Sequence, residues 1–151
     1  MPAFEFRPTT RQHTAAMKMT RQRDGIGSAM GEDFPKIDHA VVSSGVEPAG
    51  MPLARYFDFG EETTTFECAI PVPAPFTAAG EVGPSEVGGG EAAFALHIGP
   101  YATIGQTWAA LDAWVAEQGR SAAGPFWEVY LDDPQETPEN ELKSELYIPL
   151  A

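Results

Sequence analysis

The 151-residue chain contains one cysteine, Cys68, and few basic residues. A single thiol cannot form an intramolecular disulfide or a cysteine zinc cluster, so we expect a reducing, cytoplasmic location. His97 has no second ligand at metal spacing and the sequence has no cofactor motif, so we expect no metal or other cofactor. The nine Lys and Arg are outnumbered by 22 Asp and Glu, and the net charge of −13 has the wrong sign for direct binding to nucleic acid or to an anionic membrane. The sequence also lacks an apolar run suited to a membrane span or an export signal.

What the chain does contain is enough apolar sequence to bury a core. It is 43% hydrophobic and 11% aromatic, which is unlike the composition of disordered chains. Its length predicts a single domain, residues 1–151, or two small repeats that share one core. Phosphate loops, dinucleotide fingerprints, nucleophile elbows and zinc motifs are all missing from the sequence.

The first half of the chain has the periodicity of a strand, a helix and two further strands. These elements are predicted at 13–20, 24–44, 53–59 and 63–72. Residues 1–11 are expected to be a polar leader without regular structure. Pro35 lies inside the predicted helix, where a proline removes a hydrogen bond and clashes with the preceding turn. We therefore expect a break at 33–34 and a second helix that begins at Pro35.

The second half repeats this order after a connector at 73–90 that is rich in proline and glycine. An apolar strand is predicted at 92–98, followed by a helix and a hairpin. Thr103 and Gln106 have the spacing of a capping box at the start of the helix, and Gly119 predicts its end. The hairpin strands are expected at 125–131 and 141–150.

The two halves also resemble each other residue by residue, which indicates a duplication of about 12–72 and 91–151. Residues 52–57 align with 125–130 at an offset of 73, and residues 67–72 align with 145–150 at an offset of 78. Neither half can bury its hydrophobic side alone. The predicted fold is therefore α+β, with antiparallel sheets related by a pseudo-twofold axis and both helices on one face.

Strand alternation predicts which side chains lie against the helices and which lie on the other face. The residues expected beneath the helices are apolar: Cys68, Ile70 and Val72, with Leu146, Ile148 and Leu150. The residues expected on the opposite wall are acidic or aromatic: Glu67, Glu145, Tyr147, Phe126, Glu128 and Tyr130. Carboxylates among aromatic rings suit a cationic aromatic guest, because the rings attract cations and the acids supply the countercharge.

Four sequence pieces together resemble the GyrI-like small-molecule-binding domain, a family related to the effector-binding domains of multidrug-sensing and AraC-type transcription activators. The pieces are residues 51–56, 67–72, 97–101, and 127–130 followed by 145–150. The resemblance implies a duplicated fold with a ligand groove at the junction of the repeats. It implies that Glu128 is the acid that meets cationic ligands, and that Glu145, Tyr147 and Tyr101 line the groove. It also extends to proteins that hydrolyse strained cyclopropane compounds with a glutamate and aromatic residues.

Each of these residues has an ordinary structural alternative. Glu128 could be a solvated strand carboxylate, although the neighbouring rings favour a groove acid, and Tyr101 and Tyr147 are equally compatible with packing. Glu67 and Glu145 are typical of exposed strand residues. Three further residues are expected to be structural, namely a hydrogen-bonded His97, a core Trp108 and an unreactive buried Cys68.

Three functions remain open from the sequence. The first is a free-standing module that senses or sequesters lipophilic, cationic small molecules. The second is a hydrolase that uses Glu128, so whether the protein is an enzyme stays open. The third is a protein-interaction subunit, and a protein partner or a homo-oligomer is compatible with all three.

Overall fold

A computed structural model describes residues 4–151, apart from the side chain of Phe59; residues 1–3 of the predicted domain lie outside the described residues. Over residues 4–151 the protein is α+β, with antiparallel strand pairs. The elements are β1 (Phe4–Pro8), β2 (Gln12–Gln22), α1 (Ile26–Ser43), β3 (Leu53–Phe59), β4 (Thr63–Pro71), β5 (Gly83–Val87), β6 (Glu91–Ile98), α2 (Ile104–Glu117), β7 (Phe126–Tyr130) and β8 (Lys143–Pro149). Neither helix in this range is long and apolar enough to cross a membrane.

The chain forms two compact units with the same order of strands in the sheet. Unit 1 joins the residues up to Thr10 with Gly89–Ala151, and unit 2 is Arg11–Gly88. The strand order is β7-β8-β6-β1 in unit 1 and β3-β4-β2-β5 in unit 2. In both units a strand, a helix and two strands follow one another along the chain, which confirms the strand-helix-strand-strand order of the predicted fold. The pseudo-twofold axis and the groove at the junction stay predictions.

Each unit has an additional edge strand that the sequence interpretation missed. The predicted polar leader contains β1, whose Phe4 and Phe6 pack on the core beneath α2. The predicted connector contains β5, which begins at Gly83 and Pro84 and pairs with β2. Proline and glycine mark loops in a sequence, but an edge strand tolerates a proline because one of its sides needs no ladder hydrogen bonds.

The predicted break in the first helix is also wrong, because α1 runs without interruption through Pro35. Its buried residues are spaced four apart along the whole helix: Ala29, Asp33, Ile37 and Val41. This stripe packs on β2 and β4. Most helix stability in proteins comes from such packing, and here it outweighs a proline penalty of about 3 kcal/mol.

The second helix ends as predicted but does not begin as predicted. Gly119 has a φ of 72°, a left-handed conformation that stops the helix at little steric cost. At the other end the capping box is absent: the hydroxyl of Thr103 donates to the carbonyl oxygen of Pro100 at 3.0 Å, and no side chain caps α2. The apolar face of α2, with Leu111 and Val115, packs on Leu146 and Ile148 as expected.

Candidate functional site

The pairing of β7 with β8 decides which predicted site residues share a face of the sheet. Glu128 lies opposite Leu146, and Trp127 lies opposite Tyr147. Opposed residues point to the same side of a sheet. Leu146 belongs to the core beneath α2, so Glu128 lies on the helix side. The prediction of one shared wall is therefore wrong: Phe126, Glu128 and Tyr130 lie on the helix side, and Glu145 and Tyr147 lie on the opposite side.

The sequence alignment of the two repeats differs by one residue from the register that the structure shows. The sequence alignment equates Arg55 with Glu128, an offset of 128 − 55 = 73. In the structure Ala54 lies opposite Cys68 just as Glu128 lies opposite Leu146. Cys68 and Leu146 match at 146 − 68 = 78, so Ala54 is the equivalent of Glu128 and the offset is 128 − 54 = 74. A shift of one residue moves every side chain of a strand to the other face.

Glu128 is the centre of a polar and aromatic group on the helix side of unit 1. Its side chain is buried, with 5% of the residue exposed, so it is not a solvated carboxylate. Trp108 of α2 donates its indole N–H to Oε1 at 2.7 Å, and the Tyr130 hydroxyl donates to Oε2 at 2.6 Å. Donors on both oxygens offset the cost of burying the carboxylate and fix its orientation.

Two further predicted residues extend this group. The ring of Tyr101 meets Tyr130 edge to face at 5.6 Å, and Phe126 lies 4.7 Å from the Trp108 ring. Burial, and then the charges of nearby acids including Glu128, raise the pKa of Tyr101, which keeps its hydroxyl protonated. We call this group the Glu128 cluster: Glu128, Trp108, Tyr130, Tyr101 and Phe126. Trp108 packs against the core as predicted, but its role as a donor to Glu128 was missed, because a sequence does not show where an indole N–H points.

The other two predicted residues belong to a separate group on the opposite face, the Glu145 cluster: Glu145, Tyr147, Trp127, Phe94 and Arg7. Tyr147 donates to Glu145 Oε1 at 3.2 Å and stacks on Trp127 at 4.9 Å. The Arg7 guanidinium lies 3.6 Å from the Phe94 ring centroid and 3.8 Å from Glu145 Oε2. The pKa of Tyr147 is raised by burial and by Glu145. This cluster already contains its own cation, which comes from a strand the sequence interpretation missed.

Unit 2 places the repeat equivalent of Glu145, which is Glu67, in a similar setting. The expectation that Glu67 is exposed is wrong, since only 6% of it is accessible. Arg55 approaches its Oε1 at 3.4 Å, and Ser85 donates to the same oxygen at 3.0 Å. Burial raises the pKa of Glu67, while the Arg55 charge and the Ser85 hydrogen bond oppose that shift. Glu67 is thus a paired structural acid.

The two remaining titratable candidates are structural, as predicted. His97 Nδ1 lies 2.7 Å from the Thr107 hydroxyl, and Nε2 lies 3.1 Å from the Pro100 carbonyl oxygen. Cys68 is buried, and burial raises its thiol pKa to about 12, so it is not a nucleophile at neutral pH. Over the described residues, no group of three His, Cys, Asp or Glu could hold a metal ion.

Known proteins resemble this chain in sequence pattern and in fold. A model of the GyrI-like small molecule binding domain matches residues 27–151. The C-terminal domain of EcmrR matches with a TM-score of 0.86 and 18% identity, covering 100% of this chain and 97% of its own. A hydrolase from Listeria innocua matches with a TM-score of 0.69 and 15% identity, covering 98% of this chain and 91% of its own. SAV2435 bound to tetraphenylphosphonium matches with a TM-score of 0.62 and 10% identity, covering 99% of this chain and 94% of its own. No curated protein matches the chain.

Proposed function

Because this chain belongs to the GyrI-like small molecule binding domain family, we propose that its ligands are lipophilic, cationic aromatic compounds and that Glu128 supplies the countercharge. The observation that supports this most is a carboxylate only 5% exposed and surrounded by rings. In this role the domain would sense or sequester such compounds. The Glu145 cluster is a weaker candidate, because Arg7 already lies beside its acid.

The chemistry of the Glu128 cluster favours a bulky cation without hydrogen-bond donors. Both carboxylate oxygens already accept a hydrogen bond, one from Trp108 and one from Tyr130. A guest can therefore use the negative charge without needing an N–H group. Each ring face that meets a cation contributes roughly 0.5 to 2 kcal/mol, depending on how dry the contact is. SAV2435, which has the same fold, is known bound to tetraphenylphosphonium, a cation of this class.

The test replaces Glu128 with glutamine, which keeps the shape of the side chain and removes its charge. We expect Glu128→Gln to bind tetraphenylphosphonium at least about tenfold more weakly than the unmodified protein, or about 1.4 kcal/mol, in isothermal titration calorimetry. Glu117→Gln is the matched control, because Glu117 is an exposed acid at the end of α2. Equal affinities of the Glu128→Gln variant and the unmodified protein would contradict the assignment.

Hydrolysis of strained cyclopropane compounds is the second candidate, and the Tyr130–Glu128 hydrogen bond of 2.6 Å favours it. In such a reaction the oxygen of water bonds to one ring carbon and the ring C–C bond breaks. Glu128 accepts the proton of water, Tyr130 protonates the released carbon, and Tyr130 regains its proton from Glu128. Product formation from an activated cyclopropane by the purified protein tests this reaction. Absence of product above the buffer rate across a panel of such compounds would contradict it.

A further inference from the structure

Asp33, in the middle of α1, is a buried acid that belongs to neither the Glu128 cluster nor the Glu145 cluster. Only 2% of the residue is exposed, and it belongs to the stripe of α1 that packs on the sheet of unit 2. Its Oδ2 atom has no hydrogen-bond partner, and Asp33 forms no ion pair with the residues described. An isolated buried carboxylate costs several kcal/mol, and buried polar atoms in folded proteins nearly always have partners.

The charges that face Asp33 do not supply the missing partner. Burial raises its pKa, and the opposing influences are the cations Arg21 and Lys36, both of which have exposed side chains. Glu32 and Glu81 add negative charge and raise the pKa further. As a carboxylate oxygen, Oδ2 can be satisfied only by a hydrogen-bond donor, and none of the described residues supplies one.

The equivalent helix position in unit 1 does have an internal partner. The buried stripes of the two helices match at one offset: 115 − 41 = 74 for the valines and 107 − 33 = 74 for Thr107 and Asp33. The hydroxyl of Thr107 is 2.7 Å from His97 Nδ1. His97 on β6 lies opposite Ser144 on β8. The equivalent pair in unit 2 is Met19 on β2, opposite Phe66 on β4.

At these equivalent positions unit 2 therefore has Asp33 in place of Thr107. It also has the apolar Met19 in place of His97, the residue that hydrogen-bonds to Thr107. A thioether is at best a weak acceptor and cannot donate to Asp33. On β4, the strand on which α1 packs, Thr64 is a second fully buried residue whose hydroxyl has no partner. Thr64 lies on the same face of β4 as Cys68, whose pKa is raised by burial and, after it, by the charge of Asp33.

We propose that unit 2 contains its own small-ligand site, in which Asp33 Oδ2 accepts an N–H from a protonated amine. The ligand class differs from that of the Glu128 cluster for a structural reason. Glu128 already has a donor on each oxygen, and so suits cations that have no N–H, whereas Asp33 has an oxygen that only a donor can satisfy. This site does not depend on the function proposed for Glu128.

The experiment compares two probes that differ only in their N–H groups, benzylammonium and benzyltrimethylammonium. Binding is followed by NMR chemical-shift titration in the Glu128→Gln background, so that unit 1 does not contribute its acid. We expect benzylammonium to bind and Asp33→Asn to weaken it at least tenfold, with no comparable effect on benzyltrimethylammonium. Asp33→Thr, which copies the unit 1 residue, is a second variant that removes the acid, and it is expected to give the same result.

Asp38→Asn is the matched control, since Asp38 is an exposed acid on the same helix, and it is expected to leave both affinities within twofold. The proposal is overturned if benzylammonium does not bind, if folded Asp33 variants bind it normally, or if the methylated probe is equally sensitive to Asp33. Tetraphenylphosphonium affinity, measured on the single Glu128→Gln variant, reports the other site independently.

Discussion

At the scale of single residues, the protein keeps two acids away from water in different ways. Glu128 is buried with a donor on each oxygen, from Trp108 and Tyr130, so its environment is built for a charge. Asp33 is buried with one oxygen unpaired. Residues that lower stability in this way are typical of binding sites, where a ligand supplies the missing interaction.

The raised pKa of Asp33 predicts a specific pH dependence of stability. The unfolded chain releases the Asp33 proton near pH 4, whereas the folded chain keeps it to higher pH. Between those values the folded state binds more protons, so this residue makes stability fall as pH rises. We expect Asp33→Asn to remove that component, and its stability advantage over the unmodified protein to be larger at pH 7 than at pH 4.

Urea unfolding at both pH values measures this difference. Asp38→Asn is the control and should show no such change, because Asp38 is exposed. An advantage of Asp33→Asn that is equal at both pH values, or larger at pH 4, would contradict the interpretation of Asp33 as a desolvated acid.

At the scale of elements, α1 keeps a proline that its packing does not need. Pro35 is exposed, and it leaves the carbonyl of Gly31 without the usual donor four residues later. Pro35→Ala restores the N–H, although the unfolded chain then gains some freedom. We expect a net stabilisation of about 1 to 2 kcal/mol, a rise of roughly 2 to 8 °C in Tm.

Differential scanning calorimetry checks this value, with Lys36→Ala as the exposed neighbour in the same helix and an expected change within about 0.5 kcal/mol. If Pro35→Ala lowers Tm, the proline stabilises α1, and packing of the buried stripe does not compensate for a proline penalty.

The elements that could be predicted from the sequence are those with strong periodicity and clear ends. The hairpin β3–β4 and the helix α2 begin and end within a few residues of their expected bounds. The edge strands β1 and β5 were missed because a short strand with a proline or a polar neighbour has little periodic signal of its own. Their pairing with β6 and β2 depends on residues distant in the sequence.

The same limit applies to the site. Glu128 and its aromatic neighbours could be identified as candidates. The face of the sheet on which they lie depends on whether the offset between the two repeats is 73 residues, as aligned in sequence, or 74, as in the structure. Hydrogen-bond partners such as Trp108 for Glu128 are set by tertiary packing. The orphaned oxygen of Asp33 has no sequence signal, because an acid within a helix pattern is typically solvated.

At the scale of the whole molecule, the duplication places chemically different groups in equivalent positions of one topology. Unit 1 has Glu128 on its strand and Thr107 on its helix, whereas unit 2 has Ala54 and Asp33 at the matching positions. The acid thus lies on a strand in unit 1 and on the helix in unit 2. Under the two proposals made for Glu128 and Asp33, the duplicated fold keeps one architecture while its two units recognise cations of different hydrogen-bonding capacity.

The net charge of −13 predicts how the cationic ligands proposed for this protein would reach it. An excess of negative charge attracts cations over distances set by the Debye length, which falls from about 30 Å at 0.01 M salt to about 3 Å at 1 M. We expect the association rate constant of a cationic dye such as rhodamine 6G to fall roughly tenfold over this range. Its dissociation rate constant should change much less, because the Glu128 carboxylate, with only 5% of the residue exposed, is shielded from the screening ions. Stopped-flow fluorescence separates the two constants, and a neutral dye of similar size is the control. An equal salt dependence for both dyes, or an effect confined to dissociation, would contradict electrostatic attraction by the whole molecule.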